Sequence, residues 1–288
     1  MPLAHPSMQS LPPRLESYCA ADGRRLVARV WNGIEPPRAR VVFLHGITSH
    51  SGWYTRSCEH LRGAGFEVHF LDRRGSGLNH VRRGDVDSWR TWISDVAVYL
   101  DALGDSRPII VAGISWGGKL AAAVARRHPG LIRAVALLCP GIYSPHEPGI
   151  FKRMMLAAPK SQRMRNRAAR IPLRRASLFT DTETRREFID RDPLALRSVT
   201  VRFAEEDRKL TRYAREAATF LHMPVLLALA GHDRIVDNRR MRAYFTRTAS
   251  VDKTLLEYTH AAHTLEFELD RSHYLADLTN WLGVTIQS

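Results

Sequence analysis

The sequence predicts an α/β fold: a mostly parallel sheet covered by helices on both faces, with one segment inserted. Three observations carry this. Short apolar runs alternate with helical stretches from about residue 41 to 139, and again from 224 to the end. One run, Pro108-Ile109-Ile110-Val111-Ala112, passes through Gly113-Ile114-Ser115-Trp116-Gly117 straight into the helix-forming Lys119-Leu120-Ala121-Ala122-Ala123-Val124-Ala125. Between 141 and about 215 the rhythm stops. With 288 residues the chain buries a large core, and the simplest partition is a core over 1–140, an inserted cap over 141–215 and the rest of the core over 216–288.

Taken in order, residues 1–13 carry prolines without pattern and read as a loose arm. Residues 15–31 read as two strands turning at Ala21-Asp22-Gly23. Strands follow near 41–45, 67–71, 108–112 and 134–139 with helices between, an order that implies a mostly parallel sheet covered on both faces. In the insertion, residues 151–175 hold nine basic side chains and no acidic one, and 194–221 reads as one long helical stretch, whole or broken, that returns the chain to the core. Strands return near 224–230 and 254–258, and a last helix is expected near 270–281.

The chemistry is concentrated where strand meets helix at Gly113-Ile114-Ser115-Trp116-Gly117. A Gly-x-Ser-x-Gly turn is so tight that the serine takes a strained backbone conformation, while the glycines leave room where side chains would collide. The strain lifts the hydroxyl clear of the sheet and aims the following helix N-terminus at a developing oxyanion. Ser115 is the candidate nucleophile. Two glycines in an ordinary βα turn are the plainer alternative.

A serine of this kind needs an acid and then a histidine further along the chain. Asp233, just past the strand at 224–230, is the candidate acid, although the same position suits an Asx-turn or a helix cap. Asp237 is its rival, one turn further away. After the strand at 254–258, Thr259-His260-Ala261-Ala262-His263 offers two histidines. His263, at the far end of the loop where a helix is expected to begin, is the candidate base, and His260 reads as a solvated loop residue. The oxyanion donors are expected to be the N–H of Trp116 and that of Ile47, which follows Gly46 after the strand at 41–45.

These residues resemble an α/β-hydrolase of the monoacylglycerol lipase and lysophospholipase group, often filed with the serine aminopeptidases. Phe43-Leu44-His45-Gly46 with His50-Ser51-Gly52-Trp53-Tyr54 is similar to that group's His-Gly loop. Leu71-Asp72-Arg73-Arg74-Gly75-Ser76-Gly77-Leu78-Asn79 is similar to its Asp-x-Arg-Gly-x-Gly turn, with Asn79 in the place of serine. Asp192-Pro193-Leu194, Gly231-His232-Asp233 and His263-x-Leu265 match later signposts, and the resemblance spans roughly residues 15–285 apart from a divergent middle. Ile47-Thr48-Ser49 lacks the acidic residue common in the family's loop, and Trp116 replaces a frequent methionine. Ser-Trp-Gly-Gly is also similar to proline iminopeptidases, so a peptidase stays open. A C–C bond hydrolase stays open too, as does a binding module that reuses the fold.

These residues imply an esterase with a Ser115–His263–Asp233 triad and no cofactor, and the methionines and leucines of the cap favour an apolar acyl chain, as in a monoacylglycerol or lysophospholipid. Gly113 to Lys119 imitates a phosphate-binding loop, but Leu120 stands where the Mg²⁺-binding hydroxyl belongs. No metal-ligand spacing such as His-Glu-x-x-His appears, so no metal role is expected. The net charge of +14 is carried by arginine, with only five lysines. This reads as a solvated basic surface, or as a cap that rests on anionic lipid. Nucleic acid is not expected as a partner, because no recognition motif accompanies the charge. Three cysteines without framework spacing, no leader-like N-terminus and no membrane-length apolar run predict a cytoplasmic protein.

Overall fold

The computed structural model describes residues 12–33, 36–145 and 161–287. The arm expected over 1–13, but for its last two residues, and the stretch 151–160 lie outside the described residues. The hairpin forms as expected: β1 (Arg14–Cys19) pairs antiparallel with β2 (Arg25–Trp31), with Gly23 at φ +78° in the turn. Alternating units follow: β3 (Arg40–Leu44), α1 (Thr55–Gly63), β4 (Glu67–Leu71), α2 (Trp89–Ala102), β5 (Ile109–Ile114), α3 (Trp116–Arg127) and β6 (Ala134–Leu138). An irregular part holds α4 (Gln162–Arg165), β7 (Ala168–Arg170), α5 (Glu183–Arg191), β8 (Ser198–Thr200) and α6 (Val201–Glu216). Then come β9 (Val225–Ala230), α7 (Asn238–Thr246), β10 (Lys253–Tyr258) and α8 (Ser272–Thr285).

Eight strands form one sheet in the order β1-β2-β4-β3-β5-β6-β9-β10, parallel from β4 to β10. Burial follows position in the sheet. Every residue of β3, β6 and β9 is buried, whereas the edge strands β1 and β10 only alternate exposed with half-buried residues. Each large aliphatic side chain fully buried in a central strand contributes about 1.5–3 kcal/mol, and the one charged residue of these runs, Arg40 at the start of β3, is buried with its guanidinium on Asp105 (2.7 Å). The register aligns Leu44 with Gly113, Ile114 with Leu138, and Ala230 with Tyr258. The loops leaving these strand ends therefore share one edge of the sheet, where ligands of open α/β sheets bind.

The stretch 194–221 is broken, with one long helix in its middle. The Thr200 hydroxyl accepts a hydrogen bond from the Phe203 N–H at 3.0 Å, so α6 starts at Val201. The three residues before it pair with β7 instead. The helix expected near His263 is only a 3₁₀ turn over Leu265–Phe267, and the last helix runs Ser272–Thr285. There, Asp270 Oδ1 accepts from the Ser272 N–H (3.1 Å) and holds the preceding residues in a turn.

The irregular part is tied to loops at the C-terminal edge of the sheet. The Leu196 N–H donates to the Thr48 carbonyl (2.8 Å), Thr200 N–H to Gly84 (2.8 Å) and Thr264 N–H to Phe179 (2.9 Å). Arg83 reaches the Leu194 carbonyl, and α6 packs across α2 and α3.

Candidate active site

Ser115 joins β5 to α3 with φ +53° and ψ −118°, the strain its turn predicts for a residue with a Cβ. The turn is locked by backbone. The Ser115 N–H donates to the Leu138 carbonyl (3.0 Å), and the Ser115 carbonyl accepts from the N–H groups of Gly118 (2.9 Å) and Gly141 (2.7 Å). The flanking glycines have no alternative. A Cβ on Gly113 would stand 2.5 Å from the Gly117 carbonyl oxygen, and one on Gly117 would collide with the Leu44 carbonyl.

Asp233 and His263 are brought together from two different loops. Asp233 Oδ2 and His263 Nδ1 lie 2.7 Å apart, with the two side chains 0% and 2% exposed. The other carboxylate oxygen accepts from the Ile235 (2.8 Å) and Val236 (2.9 Å) N–H groups, so Asp233 makes the Asx-turn and the histidine contact at once. Asp237 is the N-cap of α7, accepting from the Arg240 N–H (3.0 Å), and His260 is exposed. No hydrogen bond joins Ser115 to His263: the buried Nε2 of His263 has no partner among the described residues. Catalytic contacts of this kind commonly close only around substrate.

The loop after β3 lies on Ser115. A Cβ on Gly46 would be 3.4 Å from Ser115 Cβ and 3.8 Å from Oγ. Among the described residues no backbone carbonyl accepts from the Ile47 or the Trp116 N–H. Trp116 itself is fixed by its indole, which donates to Asp207 (2.6 Å) and meets Trp92 edge-on at 5.0 Å between centroids. Lys119, the last residue of the phosphate-loop lookalike, is buried with its ammonium on Asp207 (3.0 Å) and Thr211 (2.9 Å). Asp207 had no local signal in the sequence, since its role depends on partners about ninety residues away.

The one cluster able to hold a metal ion among the described residues is Cys139, Asp233 and His263, with ligand atoms within 4.8 Å of one another. It is poorly disposed to do so. The carboxylate and imidazole already bond each other, and burial pushes the Cys139 thiol well above its ordinary range.

A second carboxylate binds the insertion to this edge. Asp192 Oδ2 accepts from the Trp53 indole (2.6 Å) and faces His50 Nε2 (3.0 Å). Burial by itself would raise the Asp192 carboxyl, but hydrogen bonds from His50, Trp53 and the Leu194 N–H hold it down to about 2, below its ordinary 3.8. A lowered carboxylate stabilises the fold fully above its ordinary value and loses that contribution as pH falls toward the lowered one. Asp192→Asn is expected to cost about 2 kcal/mol at pH 7 and about half as much at pH 3, measured by urea unfolding. Equal losses at both pH values would contradict this account.

The chain matches the family described as serine aminopeptidase, S33, over residues 35–270. It is 28% identical to the monoglyceride lipase of Homo sapiens over 267 residues, 91% of this chain and 87% of that one. It is 27% identical to the phospholipase YtpA of Bacillus subtilis over 242 residues, 82% of this chain and 91% of that one. Its fold matches, with a TM-score of 0.84, a soluble variant of monoglyceride lipase from Saccharomyces cerevisiae in complex with a substrate analog, at 21% identity and 99% coverage of each chain. With its parallel sheet, its elbow and these relatives, the chain belongs to the serine aminopeptidase S33 family of α/β-hydrolases, beside lipases and carboxylic ester hydrolases.

Proposed function

We propose that this chain hydrolyses carboxylic esters of the monoacylglycerol or lysophospholipid type through an acyl-enzyme on Ser115. In broad class it is a carboxylic ester hydrolase. The observation that carries the finer reading is the buried Asp233–His263 pair, 2.7 Å across, on the same sheet edge as a serine held at φ +53°. His263 Nε2 takes the proton of Ser115 Oγ as that oxygen forms a bond to the ester carbonyl carbon. The Ile47 and Trp116 N–H groups receive the oxyanion, and Asp233 fixes the imidazole and offsets its charge. On collapse the C–O bond breaks and the alcohol leaves with the proton from His263. Water, deprotonated by His263, then attacks the acyl carbonyl, and the carboxylic acid and free Ser115 are released.

In this reading residues 141–215 are the cap. Trp53, Phe179, Phe188 and Phe267 form an aromatic cluster (centroids 5.4–6.1 Å from Trp53), and Phe179 stands 6.1 Å from the His263 ring. Such a wall suits an apolar acyl chain. An aminopeptidase needs free carboxylates for a substrate ammonium, and five acids of the insertion are engaged. Asp181 and Glu183 bind Arg186 (3.2 Å each), Glu187 lies 3.7 Å from Arg191, Glu205 binds Arg165 (2.9 Å) and Glu206 binds Lys209 (2.6 Å). Peripheral contact with anionic lipid belongs to the same proposal: Arg163, Arg167, Arg170, Arg174 and Arg175 are exposed beside Met164. Among the described residues no helix is long and apolar enough to cross a membrane. The three cysteines are free, which supports a reducing, cytoplasmic setting.

The test is a rate comparison across p-nitrophenyl esters from acetate to palmitate, monoacylglycerol, lysophospholipid and proline p-nitroanilide. The lipids are presented in neutral and in phosphatidylglycerol-containing vesicles. Turnover of medium or long acyl esters, faster on the anionic vesicles, is expected. Preferred cleavage of the anilide would overturn the ester reading, and equal rates on both vesicles would overturn the lipid contact.

A further inference from the structure

Arg73, in the loop after β4, is buried, yet among the described residues no carboxylate forms an ion pair with it. Its guanidinium donates instead to two backbone carbonyls, those of Gly46 (3.3 Å) and Ile47 (3.0 Å). Its carbon lies 4.4 Å from the centroid of the Trp116 ring, and its Nε is buried without a partner among the described residues. One cation thus touches both residues that supply the proposed oxyanion donors.

His45 completes the arrangement. The Arg73 backbone N–H donates to His45 Nε2 (2.9 Å), so in the neutral ring the proton sits on Nδ1, which faces the Gly46 carbonyl at 2.7 Å. Burial, and then the charge of Arg73, lower the His45 pKa to about 3 and keep the ring neutral. Burial also lowers Arg73, to about 9, which leaves it charged at neutral pH. The Gly46 carbonyl therefore accepts two hydrogen bonds. A trans peptide is planar, with C=O and N–H pointing opposite ways, so pinning this oxygen aims the Ile47 N–H the other way. Donation to the oxygen also polarises the peptide and strengthens its N–H as a donor.

We propose that Arg73 and His45 are positioning residues that pin and polarise the Gly46–Ile47 peptide for the oxyanion, an inference that rests on the Ser115 reading above. The interaction grows with the negative charge on the tetrahedral intermediate, so it acts on kcat rather than on substrate binding. An oxyanion donor removed outright costs a hundredfold or more, and a donor left in place but loosened should cost about 10–100-fold.

The experiment compares wild type, Arg73→Met, Arg73→Lys, His45→Phe and the Arg73→Met/His45→Phe double variant on the best p-nitrophenyl ester. The affinity of a trifluoromethyl ketone, which adds to the serine as an oxyanion, is measured beside that of its non-adding methyl ketone. Expected for Arg73→Met are a kcat lower by about 10–100-fold, KM within about twofold, and a trifluoromethyl ketone affinity that falls with kcat/KM while methyl ketone affinity stays. Arg73→Lys, which keeps the charge and one hydrogen bond, should recover most of the loss and covers the case in which Arg73→Met does not fold. The double variant should be little worse than either single one, since both act on one peptide. A raised KM with kcat unchanged, or fully multiplicative losses, would overturn the proposal. Failure of the underlying reading looks different: wild type would then form no trifluoromethyl ketone adduct at Ser115.

Discussion

Ser115→Ala is expected to lower ester turnover by about 10⁴-fold or more without unfolding the protein. Two features argue for so clean a loss. The turn is held by backbone bonds from Ser115 N–H to Leu138 and from Gly118 and Gly141 to the Ser115 carbonyl, none of which needs the hydroxyl. Alanine keeps the Cβ, so the conformation at φ +53° is no more strained than before. The melting temperature should therefore move by no more than a few degrees, as for a substitution with no buried bond to break. Covalent labelling by a fluorophosphonate should disappear together with turnover. Turnover that survives the substitution would remove Ser115 from the mechanism, and with it the proposed triad.

The largest loss of stability is expected from Gly117→Ala. A Cβ there would collide with the carbonyl carbon and oxygen of Leu44 and would stand 2.8 Å from the His45 carbonyl oxygen. These are backbone atoms at the end of a fully buried strand, so no side-chain rotation relieves the clash. Either α3 moves away from β3 or β3 is pushed from its register with β5. The cost should be about 3 kcal/mol or more, at the upper end for overpacking. Activity should fall further than stability alone explains, because Leu44 and His45 lead directly into Gly46 and Ile47. Gly63→Ala is the matching control: nothing lies within 4 Å of its added Cβ, and in α1 it should be neutral or stabilise by up to ~1 kcal/mol. Urea unfolding of the two variants side by side checks both expectations. A Gly117→Ala variant as stable as wild type would mean that the strand–helix contact is looser than described.

The parts of the molecule legible in the sequence share a physical cause. Strands β3, β5, β6 and β9 are buried on both faces, so they appear as mostly apolar runs, and the turn at Ser115 tolerates so few residues that its glycines announce it. Asp233 and His263 were readable because each follows a recognisable strand. The insertion was not readable in the same way. β7 and β8 are three residues each, too short for periodicity, and their pairing of Ala168 with Thr200 is a contact across thirty-two positions. Thr200 did carry a local cue, a capping hydroxyl before α6, but the polar and basic residues around it dilute any boundary. Arg73 falls on the variable position of the Asp-x-Arg-Gly-x-Gly turn, so nothing local marks it. What distinguishes it is the pair of carbonyls it meets twenty-six and twenty-seven positions earlier, with no carboxylate among the described residues closing on it.

The double engagement of Asp233 bears on how such a protein could change over evolutionary time. One oxygen of this carboxylate shapes the turn after β9, while the other holds His263. Selection for a folded chain therefore guards the acid even where selection for chemistry has lapsed. Ser115 enjoys no such protection, because its hydroxyl supports nothing in the fold. On the proposed triad, a descendant that gave up hydrolysis should lose the serine first and the aspartate last, so an intact acid would record ancestry and an intact serine continued use.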